Sequence, residues 1–176
     1  MTELTDSQTE EQRERRTNVT IGLISDTHGL LRPEIADVFR GVAMILHAGD
    51  VGGAAVLNAL MAIAPTEAVY GNVDDPHDPA LTRERVVTLD GVTIHVSHGH
   101  ELGPPTPELV AARYMSSGAD VLVFGHTHKA VTRRIGNLLV INPGAAGPRR
   151  FDLKPSVARL TIAGGRADCE IISLPV

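Results

Sequence analysis

The chain is predicted to fold as a layered α/β domain with mixed sheets, and two patterns predict it. The first half alternates short apolar runs with helical ones, β then α, whereas the second half is mostly β-type runs joined by tight turns. In addition, five apolar runs each end in Asp, Asn or His, usually beside a glycine. Strand carboxyl ends in α/β sheets converge on one edge, where ligands bind.

Taken in order, 19–25 (VTIGLIS) reads as a buried strand and 33–41 (PEIADVFRG) as a helix with Pro in its first turn. Residues 43–48 (AMILHA) form a strand, 54–63 (AAVLNALMAI) an apolar helix and 66–70 (TEAVY) a strand. Residues 84–97 (ERVVTLDGVTIHVS) form a hairpin through Asp90-Gly91, a pair with strong hairpin preference. Residues 106–118 form a helix opened by a Thr106 cap and closed by Gly118. Residues 121–125, 131–136, 138–142, 156–163 and 167–174 are strands.

A chain of 176 residues suits one domain with a sizeable core. Residues 1–17 are polar, with too little apolar content to bury a face, and read as a disordered tail ahead of a domain over 18–176. They contain no apolar segment of the secretory type, and no apolar run reaches the length of a membrane span. The net charge of −5 gives no electrostatic case for nonspecific binding to nucleic acid or anionic membrane. With no Trp and 3% aromatics, a base-stacking platform is not expected. The single cysteine, Cys169, excludes an intramolecular disulfide and a thiolate metal cluster, in keeping with a reducing cytoplasm.

The chemistry lies at the strand ends. Asp26 and His28 follow the first strand, Asp50 the second and Asn72 the third, while His98 ends the hairpin and His126 and His128 follow VLVFG. One H-x-H pair is weak support for a metal, but five strand ends agreeing is strong. Imidazole with carboxylate suits manganese, nickel, iron, cobalt or zinc. A tetrahedral structural zinc uses about four ligands. Seven side chains plus water suffice for two divalent transition-metal ions sharing a carboxylate, an arrangement that serves in-line displacement at phosphorus.

The ordered blocks DTH, GD, GN, HG and GHTH resemble those of the calcineurin-like metallophosphoesterase superfamily, and INPGAAGPRR resembles its small YfcE-type phosphodiesterases. The resemblance covers about Val19 to Val176. It implies a four-layer αββα sandwich of two mixed β-sheets flanked by helices. It also implies that Asp26, His28 and His128 hold one metal, that Asn72, His98 and His126 hold the other, and that Asp50 bridges them. The implied activity is that of a phosphodiesterase, with a hydroxide shared by two metals, manganese first among them, as nucleophile. The expected partner is a small phosphodiester, with no membrane and with nucleic acid only as a substrate. A cytoplasmic homo-oligomer, dimer or tetramer, is expected.

Two departures matter. The larger phosphatases carry His after G-N, where this chain has Val73, which transfers no proton; Asp74 takes the acidic position that orients that His. Ala145 stands where related sequences often have Ser. Further candidates are His100, as a donor behind the ligands or a proton carrier, and Arg149, as a phosphate grip. His47 and His95 read as packing residues and His77 as a loop residue, and the glycines of 49–55 match no nucleotide loop. The alternative to an enzyme is a binding scaffold like the retromer small subunit, whose site is depleted of histidines. A metallo-β-lactamase type of hydrolase ranks below both, because GHTHKA lacks its Asp-His pair.

Overall fold

A computed structural model of the chain describes residues 18–150 and 152–175. The expected tail over residues 1–17 lies outside the described residues. In chain order the strands are β1 (Val19–Ile24), β2 (Met44–His47), β3 (Thr66–Ala68), β4 (Glu84–Leu89), β5 (Val92–Ser97), β6 (Val121–Val123), β7 (Val131–Ile135), β8 (Leu138–Asn142), β9 (Ser156–Ala163) and β10 (Arg166–Ser173). The helices are α1 (Glu34–Val38), α2 (Ala54–Met61) and α3 (Pro107–Tyr114), with a 3₁₀ turn at His100–Leu102.

Two five-stranded sheets result, ordered β10-β9-β1-β2-β3 and β4-β5-β6-β8-β7. In the first, β1-β2-β3 run parallel and β9 and β10 extend the β1 side antiparallel; in the second, the parallel centre β5-β6-β8 is flanked by antiparallel β4 and β7. Sheets of this kind are buried on both faces, which is why the central strands read as continuous apolar runs. Alternate residues feed different layers. Leu23, Leu46, Val121, Val123 and Ile141 meet between the sheets, with Ile94 and Leu160. Ile24 and Ile45 point outward against Phe39, Val56 and Leu60 of the α1–α2 side. Leu122 and Val140 point outward against Val110 and Tyr114 of α3. The expected αββα sandwich is the observed architecture. Each fully buried Ile, Leu or Val contributes roughly 1.5–3 kcal/mol of transfer free energy. Among the described residues no helix is long and apolar enough to cross a membrane.

Local signals account for the element ends. Asp90 and Gly91 both have positive φ, 45° and 76°, as a two-residue hairpin turn requires. Thr106 Oγ1 accepts the Leu109 N–H at 3.3 Å and caps α3. The helices are shorter than their sequence pattern. α3 stops at Tyr114 rather than Gly118, and α1 stops at Val38, since each finishes in tightened turns of the i+3 type. The strands over 66–70 and 121–125 also stop early, at Ala68 and Val123, where the chain peels from its neighbour to form the ligand-bearing loops.

His47 is a satisfied core histidine, as expected, and it links two of these loops. Its ring is fully buried. Nδ1 accepts the Gly49 N–H at 3.2 Å, so the ring proton is on Nε2 and is donated to Thr27 Oγ1 at 2.9 Å; the Thr27 hydroxyl donates to the Val51 carbonyl at 2.8 Å. Burial drives the His47 pKa down to about 4, against the pull of Asp26 and Asp74. A histidine whose folded pKa lies below its unfolded value stabilises the fold above pH 6.5 and loses that contribution as pH falls toward 4. The loss is on the order of 3 kcal/mol. Denaturant titrations at pH 7 and pH 4.5 should therefore show a markedly smaller acid-induced loss of stability in His47→Asn than in the parent. Equal losses in the two proteins would contradict a neutral buried ring.

Candidate metal centre

The loops after β1, β2, β3, β5 and β6 bring all seven expected ligand residues to one edge of the two sheets. His28 Nε2 and His128 Nε2 are 3.3 Å apart, and His128 Nε2 is 3.2 Å from Asp26 Oδ1. On the other side, His98 Nε2 lies 3.2 Å from Asn72 Oδ1, and His126 Nδ1 lies 2.9 Å from the same oxygen. Asp50 stands between the groups, with Oδ2 3.7 Å from His28 Nε2 and Oδ1 3.3 Å from His98 Nε2. Asp26, His28 and His128 form one cluster of metal-ligand type, and Asp26, Asp50 and His98 form an overlapping one.

The chemistry of this set fits a cation. Asp26 Oδ1 is buried and, despite lying 3.2 Å from His128 Nε2, makes no hydrogen bond among the described residues, although its other oxygen is satisfied by the Ser25 hydroxyl at 2.7 Å and the His126 N–H at 3.2 Å. The carbonyl of Ala48 can only accept, so His98 donates from Nδ1 at 2.7 Å and turns the lone pair of neutral Nε2 toward two oxygens. A lone pair facing two acceptors is stable only with a proton or a metal ion among them. Burial lowers the basicity of His98, but the Asp50 hydrogen bond and the Asp26 charge outweigh it and hold the pKa above the ordinary value. Burial likewise pushes the Asp50 carboxyl up, but His98 and the Val73 N–H outweigh it and hold the pKa at about 2. Burial lowers His28, His126 and His100, which favours the neutral form a metal ligand requires.

Backbone strain marks the same residues. Asp26, His28, Asp50, His126 and His128 all have φ between 47° and 67°, a region side-chain-bearing residues rarely adopt. Close approaches at two glycines hold the cluster. A Cβ on Gly49 would lie 2.5 Å from His98 Nδ1, and one on Gly71 would lie 2.0 Å from Asp50 Oδ1.

The remaining candidates divide. The His100 ring lies 5.3 Å from His98 and 6.4 Å from His126, beside Tyr70 at 6.3 Å, so it borders the cluster. Arg149 is exposed at the rim with a loose 4.0 Å pair to Asp152, and it lines a small crevice with His128 and Arg150. His95 packs on Tyr114 at 4.3 Å and meets Glu84 at 3.1 Å, away from the ligands. Asp74 is not free to orient a side chain at position 73. It accepts the N–H groups of Gly71 and Val51 on Oδ2 and of Gly52 on Oδ1, at 2.8–3.0 Å, and so ties the Asp50 loop to the Asn72 loop. Asn142 has a comparable role that sequence reasoning missed. Its Nδ2 donates to the Gly125 carbonyl and Thr127 Oγ1, while Oδ1 accepts the Gly144 N–H. The only sequence signal for it was an Asn ending an apolar run before Pro-Gly.

This edge gathers carboxylate and imidazole groups that could hold a metal ion. A profile of the calcineurin-like phosphoesterase superfamily domain matches residues 19–165, and the chain belongs to that superfamily. A probable metallophosphoesterase of Methanothermobacter thermautotrophicus is 39% identical over 86% of this chain and 91% of its own. The phosphodiesterase YfcE of Escherichia coli is 30% identical over 69% of this chain and 76% of its own. Among solved structures, vacuolar protein sorting 29 from Cryptosporidium parvum superposes with a TM-score of 0.76 at 21% identity, over 89% of this chain and 98% of that one. At that identity the likeness shows the fold alone.

Gly71 gives a direct test of the packing that holds Asp50. In Gly71→Ala the added methyl must displace the Asp50 carboxylate. Divalent-metal affinity, measured by competition with a chromophoric chelator, should fall by about 10–100-fold, as for other groups that orient ligands, with an unchanged far-ultraviolet circular dichroism spectrum. Parental affinity in the variant would show that Asp50 does not take part in binding.

Proposed function

We propose that the chain hydrolyses small phosphodiesters with two divalent transition-metal ions, manganese first among them. Asp26, His28 and His128 would hold one ion and Asn72, His98 and His126 the other, with Asp50 between. The observation that carries this reading is the convergence of seven lone-pair-bearing side chains from five loops, with a buried Asp26 oxygen that makes no hydrogen bond among the described residues. The superfamily membership supports the same chemistry. Two such ions, when bound, supply Lewis acidity toward a phosphoryl oxygen and make a bound water acidic enough to attack phosphorus near neutral pH.

The chain's own residues then do the following. Asn72 points its amide oxygen at His98 and His126, which leaves its NH₂ to donate to a phosphate oxygen. Arg149 is exposed at the rim and long enough to pair with phosphate charge. Val73 cannot protonate a leaving alkoxide, and Asp74 is committed to three backbone N–H groups. His100, whose ring borders His98 and His126, is therefore the candidate proton carrier outside the ligand set. Burial, and then the charge of His98, lower its pKa. Its protonated form is thus favoured only below the ordinary histidine range, and leaving groups that depart without a proton are the better substrates.

The deciding experiment is turnover of a chromogenic diester by the metal-loaded protein and by Asp50→Asn. The parent should turn over, and the variant should lose about 10²–10³-fold in rate, the several kcal/mol that metal ions supply to transition-state charge, with its thermal unfolding still cooperative. Equal rates in both would remove the dinuclear reading, and an inactive but metal-loaded parent would favour the scaffold alternative.

A further inference from the structure

A cavity of about 540 Å³ beside His126 takes no part in the reading above. Its walls are Pro104, Pro105, Pro107, Phe124 and Val131. It adjoins the ligand cluster through one residue: His126 meets the Asn72 amide oxygen through Nδ1 and also lines the cavity. A molecule whose phosphate sits among the ligand residues can therefore extend an ester arm into this space.

Three features say what arm would fit. First, the volume lies in the range of roughly 300–1,000 Å³ usual for small-molecule pockets, so a ring is accommodated. Second, the walls are rigid. Proline fixes its own φ, the Thr106 cap anchors the start of α3, and Val131 is paired with Asn142 in the β7–β8 ladder. Walls set before a ligand arrives reduce the ordering cost of binding. Third, among the described residues the charged ones lining it are Lys129 and Arg133, with no acid. Arg133 is held by Glu108 at 2.7 Å, whereas Lys129 is exposed and makes no ion pair among the described residues. A rim of this sign repels an ammonium group.

We infer that the cavity between the Pro104–Pro107 segment and β7 is the subsite for one ester arm of the phosphodiester, and that it selects an uncharged apolar arm of aryl size over a short alkyl or an ammonium-bearing one. This rests on the phosphodiester reading above. Phosphate at the ligand residues supplies the common anchor, and the apolar walls supply the discrimination.

The test uses the zinc-loaded full chain, with binding measured by calorimetry for diphenyl phosphate, dimethyl phosphate and a choline-bearing methyl diester. Diphenyl phosphate should bind at least about tenfold more tightly than the other two, the gain expected from burying one ring. It should also shift the backbone amide resonances of Thr106, Lys129 and Val131. Val131→Phe fills the cavity from outside the ligand set. It should bring the three affinities within about twofold of one another and raise KM for bis(4-nitrophenyl) phosphate about tenfold, at nearly constant kcat and metal content. Equal affinities in the parent, or an unaltered preference in Val131→Phe, would overturn the inference. Should the variant fail to fold, absence of shifts at those three amides in the parent would overturn it just as well. A parent that shows the preference and the shifts but hydrolyses no diester would keep the subsite and remove the hydrolase reading. A parent that hydrolyses diesters without the preference would do the reverse.

Discussion

A hydrogen bond between the two halves of this molecule sits at the centre of the candidate site. His98, at the end of β5 in one sheet, donates from Nδ1 to the carbonyl of Ala48, just beyond β2 in the other, at 2.7 Å. The bond fixes which nitrogen of His98 faces the ligand cluster, and it draws the Asp50 loop within 3.3 Å of that nitrogen. It forms only because position 49 has no side chain, since a Cβ there would lie 2.5 Å from the donor nitrogen. Around it, Asp74 ties the Asp50 and Asn72 loops, Asn142 holds the 125–128 loop, and His47 with Thr27 links the ends of β1 and β2. The ligand residues are thus held by a frame of hydrogen bonds to backbone, most of them buried.

The frame has to be strong because what it holds is unfavourable. Five ligand-type residues sit at positive φ, and each such conformation costs of order 1–3 kcal/mol for a residue with a side chain. Two buried carboxylates lie among four histidines, and one Asp26 oxygen makes no hydrogen bond among the described residues. Strain and unmet lone pairs at the same residues are hard to account for as packing. A bound cation relieves the second, and the stiffness of the sandwich, with fifteen buried apolar residues between its sheets among the described residues, sustains the first.

Much of this was legible in the sequence, for identifiable reasons. The hairpin at Asp90-Gly91 was clear because both turn residues need positive φ and this pair tolerates it. The central strands were clear because they are buried on both faces and lack polar interruptions. The convergence of the candidate ligand residues was clear because they recur at the ends of apolar runs, a register that strand geometry brings to one edge. Helix ends were not, since α1 and α3 finish in tight turns that the apolar pattern runs straight through. The tasks of Asp74 and Asn142 were also hidden. Each acts through backbone N–H or carbonyl groups of other loops, and nothing in the chain's own spacing shows which loops will be neighbours. The apolar cavity escaped for the same reason, since α3's approach and β7 are far apart in sequence and meet only in the fold.

The central claim is that this edge is a two-ion centre with Asp50 between the ions. Anomalous diffraction from manganese-soaked crystals, recorded on both sides of the manganese absorption edge, tests it most directly. The account predicts two peaks per chain about 3.5–4 Å apart, one beside Asp26, His28 and His128, the other beside Asn72, His98 and His126, with an Asp50 oxygen directed at each. A single peak, or two peaks that do not share Asp50, would contradict it.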